Sequence, residues 1–179
     1  MFELQPTLRG KLLTLRPLQL GDYAALYAAA SDPLIWEQHP SSDRYKEEVF
    51  KDYFDGGIKS GGALGILDSD TSAIIGSSRY YGLDENASEI EIGWTFLTRH
   101  YWGGTYNREL KQLMVGHALK YVDNVLFFVG PQNMRSRKAV EKLGAVYEDT
   151  RTRFGGESVV YRLTKSTAQR TLKLGASEE

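Results

Sequence analysis

Residues Trp94–Leu113, with the sequence WTFLTRHYWGGTYNRELKQL, contain the strand-to-helix junction from which the fold can be predicted. A strand-like run ends in Trp102-Gly103-Gly104-Thr105, and this turn opens directly into an amphipathic helical pattern. The first N–H groups of a helix have no partner within it and lie at the positive end of its macrodipole. Adjacent glycines let a ligand approach the backbone without a Cβ in the way. The junction therefore predicts an anion-binding site.

A second junction of the same kind follows further along the chain. The apolar run Val125–Val129 is typical of a central strand buried on both faces, and Gly130-Pro131 ends it. Asn133 is placed to cap the next helix, which Gly144 is expected to terminate. Two such junctions in one small domain favour a phosphate-bearing ligand held between them.

The other segments predict an α+β sheet in which one helix crosses over between strands. The glycine-rich stretch 56–65 indicates a flexible bend, because it lacks the spacing of a nucleotide-binding loop. In the third strand of the central meander, alternation places Ile90, Ile92, Trp94 and Phe96 on one face and Glu89, Glu91 and Gly93 on the other. The expected strands are 11–16, 63–67, 73–81, 89–97, 125–129, 146–148 and 158–163, with helices at 22–30, at 43–54, after Gly104 and after Asn133.

The composition excludes several classes of protein and of site. The chain has 179 residues, a formal net charge of −1 and no cysteine, which argues against a nucleic-acid or membrane surface, disulfides and a thiolate zinc site. The histidines match no metal motif, and no apolar run reaches membrane-spanning length. We expect a cytoplasmic protein with one domain over residues 1–165 and a polar, loosely ordered tail over residues 166–179.

Two motifs, in this order of elements, resemble the GNAT superfamily of acyl-CoA-dependent N-acetyltransferases. The pyrophosphate loop of that family, (Q/R)-x-x-G-x-(G/A), falls on residues 100–105, with Gly103 at the first glycine and with His100 and Thr105 departing from the pattern. The N-x-x-S-x-x-x-x-E-K-x-G helix of its ribosomal-protein N-terminal alanine acetyltransferase branch matches residues 133–144.

The resemblance extends from residue 12 to about residue 163 and implies a complete fold. The expected structure is a single-domain, mixed, mostly antiparallel sheet of about seven strands flanked by about four helices, with a splayed parallel pair that holds CoA. The residues assigned to CoA are Phe96, Leu97, Thr98, Gly103, Gly104, Thr105, Tyr106, Asn107, Asn133, Ser136, Arg137 and Lys138. The alternatives are a tight turn that merely needs glycine and basic residues that are plain surface.

Acetylation of an amine by direct transfer needs a base and a proton for the departing thiolate. Amines have pKa values of about 8 to 10 and are mainly charged at neutral pH, so each needs a proton acceptor. Glu91 is the candidate base and Glu89 the second, although strand carboxylates are commonly just solvated. The resemblance implies that Ser136 donates to the sulfur, whereas the structural alternative is a cap completed with Asn133.

The expected activity is an acetyl-CoA-dependent transfer to a small-molecule amine or a peptide N-terminus, without a metal. Trp36, Tyr80, Tyr81 and Glu89 are assigned to the acceptor pocket, although aromatic residues there could equally belong to the core. The acidic residues 84, 85, 89 and 91 suggest a mildly acidic wall compatible with a cationic amine. The main alternative is a CoA-binding regulatory or scaffold protein without catalysis, supported by the departures at His100 and Thr105. Acceptor identity and oligomeric state, including a homodimer, stay open.

Overall fold

The computed structural model describes residues 1–174, which form eight strands and five α-helices. The strands are β1 (Leu8–Arg9), β2 (Leu13–Pro17), β3 (Ala63–Asp68), β4 (Ile74–Asp84), β5 (Glu89–Leu97), β6 (Asn124–Val129), β7 (Val146–Arg153) and β8 (Gly156–Thr164). The helices are α1 (Tyr23–Ala30), α2 (Glu47–Ser60), α3 (Thr105–Ala118), α4 (Met134–Lys142) and α5 (Lys165–Thr171).

All strands join one sheet in the order β1-β2-β3-β4-β5-β6-β8-β7. Strands β5 and β6 are parallel, and the other neighbouring strands are antiparallel. Helix α3 lies between β5 and β6 in the chain and forms the crossover, because parallel neighbouring strands need a long connection. The predicted fold class is confirmed, with the short strand β1 and helix α5 as additions.

Helices cover both faces of the sheet and create two separate cores. The first core lies against α3 and α5, with Leu110, Met114 and Leu172 among its fully enclosed side chains. The second lies against α1 and α2 and is rich in aromatic residues, including Phe50 and Phe54. Helices thus cover the central strands of the sheet on both faces, as the apolar sequence of β6 predicts.

A β-bulge in β5 makes the predicted alternation wrong beyond Ile92. Ser77 pairs with Phe96 and Arg79 pairs with Gly93, so residues 77–79 oppose residues 93–96 and β5 carries one extra residue. Trp94 accommodates the bulge with a φ of +51°. An extra residue moves every later side chain to the other face. Ile92 therefore packs in the first core, whereas Trp94 and Phe96 pack with the second, on the same face as Glu91.

The glycine-rich stretch is not one flexible bend. Helix α2 begins at Glu47, later than predicted, and continues through Gly56 and Gly57 to Ser60 before Gly61 ends it with a φ of +67°. A Cβ on Gly57 would lie 3.1 Å from Nη2 of Arg79. The helix tolerates this glycine because the missing side chain leaves room for a buried guanidinium.

The expectation of a loosely ordered tail is wrong for the first residues after Lys165. Helix α5 forms there, and Thr164 caps it by accepting from the Thr167 N–H. Ala168 and Leu172 are enclosed in the first core. Sequence polarity concealed this helix, because only two apolar side chains of the segment need to face the sheet. Residues 175–179 of the predicted tail lie outside the described part of the chain.

Candidate active site

Strands β5 and β6 separate at the centre of the sheet. They pair from Glu89 opposite Asn124 to Glu91 opposite Leu126, and both strands then continue without pairing to each other. The result is a V-shaped gap between residues 92–97 of β5 and residues 127–129 of β6. Backbone groups at such an edge can bind an extended ligand as an added strand would.

The glycine junction lies at the open end of this gap. Gly103 and Gly104 both have a φ of +109°, and a Cβ at either position would meet no atom within 4 Å. Glycine is therefore needed for the backbone conformation and not for lack of space. Helix α3 starts here without a side-chain cap, and no acidic residue lies in its first turn. Thr105, Tyr106 and Asn107 form that turn, as predicted for an anion-binding helix start.

Asn133 caps α4 as the sequence predicts. Its side-chain oxygen accepts a hydrogen bond from the Ser136 N–H at 3.2 Å, and Gly144 follows the helix with a φ of +89°. The Ser136 hydroxyl has no hydrogen-bond partner among residues 1–174. The cap therefore uses the backbone of Ser136 and leaves its hydroxyl available, which separates the two roles that the sequence left open.

Trp102 bridges the open end of the gap, a contact that sequence reasoning missed. Its indole N–H donates to the Leu97 carbonyl at 2.9 Å, and the Arg135 guanidinium lies 4.1 Å from its ring centroid. The backbone N–H of Arg135 in turn donates to Gln38 Oε1 at 3.1 Å. Leu97 was assigned to CoA through its backbone, and its carbonyl is here held by Trp102 instead.

The other residues assigned to CoA differ in how accessible they are. Phe96 is buried in the second core, and Thr98 uses its N–H and hydroxyl to hold the Ile75 carbonyl at 2.8 and 3.1 Å. Arg137 donates to the Tyr161 hydroxyl and to the Pro131 carbonyl, both at 3.0 Å. These bonds engage the Arg137 guanidinium within the fold, so its assignment to CoA has no support here, whereas Lys138 is exposed.

Glu91 lies at the last position where β5 pairs with β6, and only 4% of it is exposed. Both of its carboxylate oxygens accept hydrogen bonds from the Arg153 guanidinium, at 2.5 and 2.6 Å. Burial raises the pKa of Glu91, and the bonds from Arg153 act in the opposite direction. The carboxylate is therefore not the solvated residue of the alternative interpretation but a buried group whose two oxygens are held in a defined orientation.

Glu89 is paired as well. It accepts from the Arg162 guanidinium at 2.8 Å, and Arg162 also donates to Glu148 at 2.7 Å. The expected acidic wall is therefore wrong, since both strand carboxylates are matched by arginines. Asp84 is the last residue of β4, and its side chain accepts from the N–H groups of Asn86 and Ala87 in the turn that follows.

The aromatic residues assigned to the acceptor pocket do not lie together. Tyr80 is enclosed in the first core, and its hydroxyl donates to the Met114 carbonyl at 2.6 Å, so the assignment of Tyr80 to the pocket is wrong. Trp36 is buried in the second core beside Phe96. Tyr81 is half-buried beside Trp94, which in turn lies near Phe154, on the same face as Glu91. Strand alternation predicts that Tyr80 and Tyr81 face opposite sides of the sheet. It does not predict which of the two sides bears the pocket.

Lys111 is the second residue that sequence reasoning missed. It lies on α3, is 6% exposed, and its ammonium group donates to the Thr95 hydroxyl at 3.4 Å. The same group lies 5.4 Å from the ring centroid of Phe127. Thr95 is on β5 and Phe127 is on β6, so the ammonium group of Lys111 lies near both of the strands that border the gap. Burial lowers its pKa to about 8.

Lys111→Met is expected to stabilise the folded protein at neutral pH. The pKa of Lys111 is about 8 in the fold against an ordinary 10.5, so the unfolded chain binds more protons between these values and stability rises with pH there. The lysine therefore costs up to about 3 kcal/mol below that window. Urea unfolding of both proteins at pH 7 and at about pH 10.5 should show the advantage of the variant shrinking as the pH rises. A difference that does not depend on pH would contradict the burial of a charged amine.

Neither a metal-binding cluster nor a membrane-spanning helix is found among the described residues. No cluster of His, Asp and Glu within residues 1–174 could hold a metal ion. In that same part of the chain no helix has the length and apolar character to cross a membrane. His117 is buried and bonded to the Glu3 carbonyl at 2.8 Å, as expected for a core histidine, and His100 is exposed beside Tyr101.

Comparison with known proteins identifies the family. The sequence profile of the acetyltransferase (GNAT) domain matches residues 13–146. The chain therefore belongs to the GNAT acetyltransferase family. No curated protein sequence matches the chain at a significant level.

Solved structures with this fold cover nearly the whole chain. An acetyltransferase from Agrobacterium tumefaciens str. C58 is 25% identical and has a TM-score of 0.68, with 89% of this chain and 95% of that chain covered. Mycobacterium smegmatis RimJ, solved in complex with CoA-disulfide, is 17% identical with a TM-score of 0.68, over 97% and 95% of the two chains. A structure assigned as a ribosomal-protein-serine acetyltransferase from Vibrio cholerae is 12% identical with a TM-score of 0.71, over 92% and 99%.

Proposed function

We propose that this chain is an N-acetyltransferase that moves an acetyl group from acetyl-CoA directly to a primary amine, on a small molecule or at a peptide N-terminus. The observation that carries the proposal is the gap between β5 and β6, with the uncapped start of α3 at its open end and Glu91 at its apex. A turnover assay with acetyl-CoA and a panel of amines tests it directly.

The residues around the gap fit a CoA molecule. Gly103 and Gly104, both with positive φ angles, leave the backbone at the start of α3 free of side chains. Backbone N–H groups in such a turn suit a pyrophosphate. The unpaired edge of β5 suits the amide groups of a pantetheine arm. When bound, acetyl-CoA would supply a thioester carbonyl as the electrophile.

Glu91 is the residue best placed to remove a proton from the acceptor amine. An ammonium ion has no free electron pair, so nucleophilic attack requires its deprotonation. The raised pKa of Glu91 brings this carboxylate closer to the pKa of the amine, and Arg153 holds both oxygens in a defined orientation. Glu91 would accept the proton directly or through one water molecule.

Two groups could deliver a proton to the departing thiolate. The Ser136 hydroxyl lies one turn into α4 and is not used by the cap. The Lys111 ammonium reaches into the gap between the strands, and its pKa of about 8 is close to that of a simple thiol, about 8.5. The two candidates lie on different helices, α4 and α3, and can be removed separately.

Ser136→Ala is expected to slow acetyl transfer by about 10- to 100-fold while CoA affinity stays nearly the same, because a thiolate leaves without help at a reduced rate. The melting temperature should change little, since the Asn133 side chain still caps the unchanged backbone N–H. Asn133→Ala is the matched control and should lose about 1 kcal/mol of stability. Normal turnover of Ser136→Ala would leave Lys111 as the proton donor.

A CoA-binding protein without catalysis is the alternative function. It is favoured by His100 and Thr105, because these two residues depart from the family loop. It predicts that CoA binds and that no amine in the panel is acetylated above the uncatalysed rate. The buried Glu91–Arg153 pair at the apex supports the catalytic proposal instead.

A further inference from the structure

Three arginines and one glutamate lie around an aromatic face formed by Trp36, Tyr53 and Trp94. Arg79 is on β4, Arg153 is at the end of β7, and Arg44 precedes α2. Each guanidinium lies within 6 Å of an aromatic ring centroid of this face. Glu91 is the carboxylate of the group, and both of its oxygens are taken by Arg153. Within residues 1–174 neither Arg44 nor Arg79 forms an ion pair. Burial lowers the pKa of Arg79, and Glu91 is near enough for its charge to act in the opposite direction.

Arg79 is the most enclosed of these cations, with 6% of the residue exposed. Its guanidinium lies 4.4 Å from the Trp94 ring centroid, and Nη2 donates to the Tyr53 carbonyl at 3.2 Å. Its Nε is buried and has no hydrogen-bond partner among the described residues. The missing side chain of Gly57 makes room for the guanidinium. The surrounding residues thus enclose the Arg79 guanidinium but accept hydrogen bonds from only some of its N–H groups.

Arg44 approaches the same tyrosine from the loop before α2. Its guanidinium lies 4.8 Å from the Tyr53 ring centroid and 5.1 Å from that of Trp36, and within residues 1–174 it forms no ion pair. Burial lowers the pKa of Arg44, and the charge of Arg79 acts in the same direction, while exposed Asp43 acts against it. Nearby His39 has its pKa lowered to about 3 by burial and by Arg44. It remains neutral and adds no compensating charge.

Buried cations without partners are costly to folding, because each loses its hydration. Cation–π contacts offset only part of this cost. Guanidinium groups bind carboxylates and phosphates with charge-assisted hydrogen bonds, often in pairs. An anion on the ligand would therefore complete this face, and a cationic ligand would be repelled by it.

We propose that Arg44 and Arg79 bind an oxyanion, a carboxylate or a phosphate, which the acceptor carries close to the amine that is acetylated. This inference rests on the proposed function and specifies its substrate class. The short separation follows from Trp94, which contacts both Arg79 and Arg153, the partner of Glu91. The acceptor is thus a small amino acid or an aminoalkyl phosphate, and a basic peptide N-terminus is disfavoured.

Matched acceptor pairs test the proposal. Each of a panel of L-amino acids is compared with its carboxamide, and 2-aminoethyl phosphate with ethanolamine, in an acetyl-CoA turnover assay. The anionic member of at least one pair should have a kcat/KM about 10²-fold higher, as expected for a charge-assisted pair in a buried site. The amino-acid and phosphate arms identify which oxyanion is bound. Equal values in every pair, or a preference for the neutral members or for lysine-rich peptides, would overturn the proposal.

Arginine variants link the preference to this face. In Arg44→Met and Arg79→Met the ratio within the favoured pair should fall about tenfold or more, while CoA binding shows that each variant is folded. Arg16→Met is the matched control, because Arg16 on β2 is a partly buried arginine that already has an anionic partner, Asp22. Its ratio should equal that of the wild type, and a similar fall in all three variants would contradict a specific oxyanion site.

Calorimetric titration separates a failure of this inference from a failure of the proposed function. The same anionic and neutral amines are titrated into the protein saturated with CoA, where no acetyl group can be transferred. Selective binding of the anionic members that is lost in Arg79→Met supports the oxyanion site even if no amine is acetylated. Absence of that selectivity in the wild type overturns the inference even if acetylation of neutral amines is observed.

Discussion

Glu91→Gln will lower the rate constant for amine acetylation at neutral pH by about 10²-fold or more, while CoA still binds. The substitution keeps the size and one hydrogen-bond acceptor of the side chain but removes the group that can take up a proton. Because burial raises the pKa of Glu91, the acidic limb of the pH–rate profile reports this carboxylate and should disappear in the variant. Stopped assays over pH 5 to about 9, with CoA titrations in parallel, measure both effects.

Two controls separate proton acceptance from the structural effect of breaking an ion pair. Arg153→Met also breaks the pair but keeps the carboxylate, and it removes bonds that lower the pKa of Glu91. Its acidic limb should therefore move to higher pH, with activity retained above it. Glu89→Gln disrupts a comparable pair with Arg162 and should leave the limb in place. Normal activity of Glu91→Gln together with a defective Glu89→Gln would identify Glu89 as the base.

Gly103→Asp will weaken CoA binding by an order of magnitude or more, as expected when a charged contact worth a few kcal/mol is lost. The aspartate would place a negative charge beside the start of α3, and a side chain at a φ of +109° strains the backbone of the turn. The surroundings of Gly103 are open, so the fold itself can accept the side chain. Isothermal titration with CoA gives the affinity, and circular dichroism establishes that the variant is folded.

Gly82→Asp is the matched control for this experiment. Gly82 also has a positive φ, +62°, and open space around its missing Cβ, but it lies on β4 and not at the helix junction. Its substitution introduces the same charge and a similar strain without touching α3. Equal losses of CoA affinity in both variants would assign the effect to strain, and full affinity in a folded Gly103→Asp protein would show that the pyrophosphate binds elsewhere.

The parts of the site that the sequence predicted depend on local signals. Gly103 and Gly104 adopt conformations that few other residues reach, and Asn133 caps the helix three residues before Ser136. Such signals act within one turn and do not depend on packing, so a single chain displays them. The apolar run of β6 likewise predicts that this strand is buried.

The parts that were predicted wrongly depend on distant partners. The ion pair of Glu91 could not be predicted, because Arg153 lies 62 positions away, on a strand that reaches it only through β6 and β8. The bulge at Trp94 changed the face of Phe96, and no local pattern announces a bulge of this kind. The enclosed Tyr80 and the half-buried Tyr81 are neighbours whose side chains lie on opposite faces of the sheet.

The sequence alone therefore determined the family fold, its crossover helix and the two helix starts that face the gap, because glycine, proline and capping residues act on the backbone next to them. The tertiary structure alone decided the electrostatics of the site. It paired Glu91 and Glu89 with arginines, left Arg44 and Arg79 unpaired beside Tyr53, and enclosed Lys111 between two separating strands. Charges act across space according to distance and burial, and both quantities are set only when remote segments pack together.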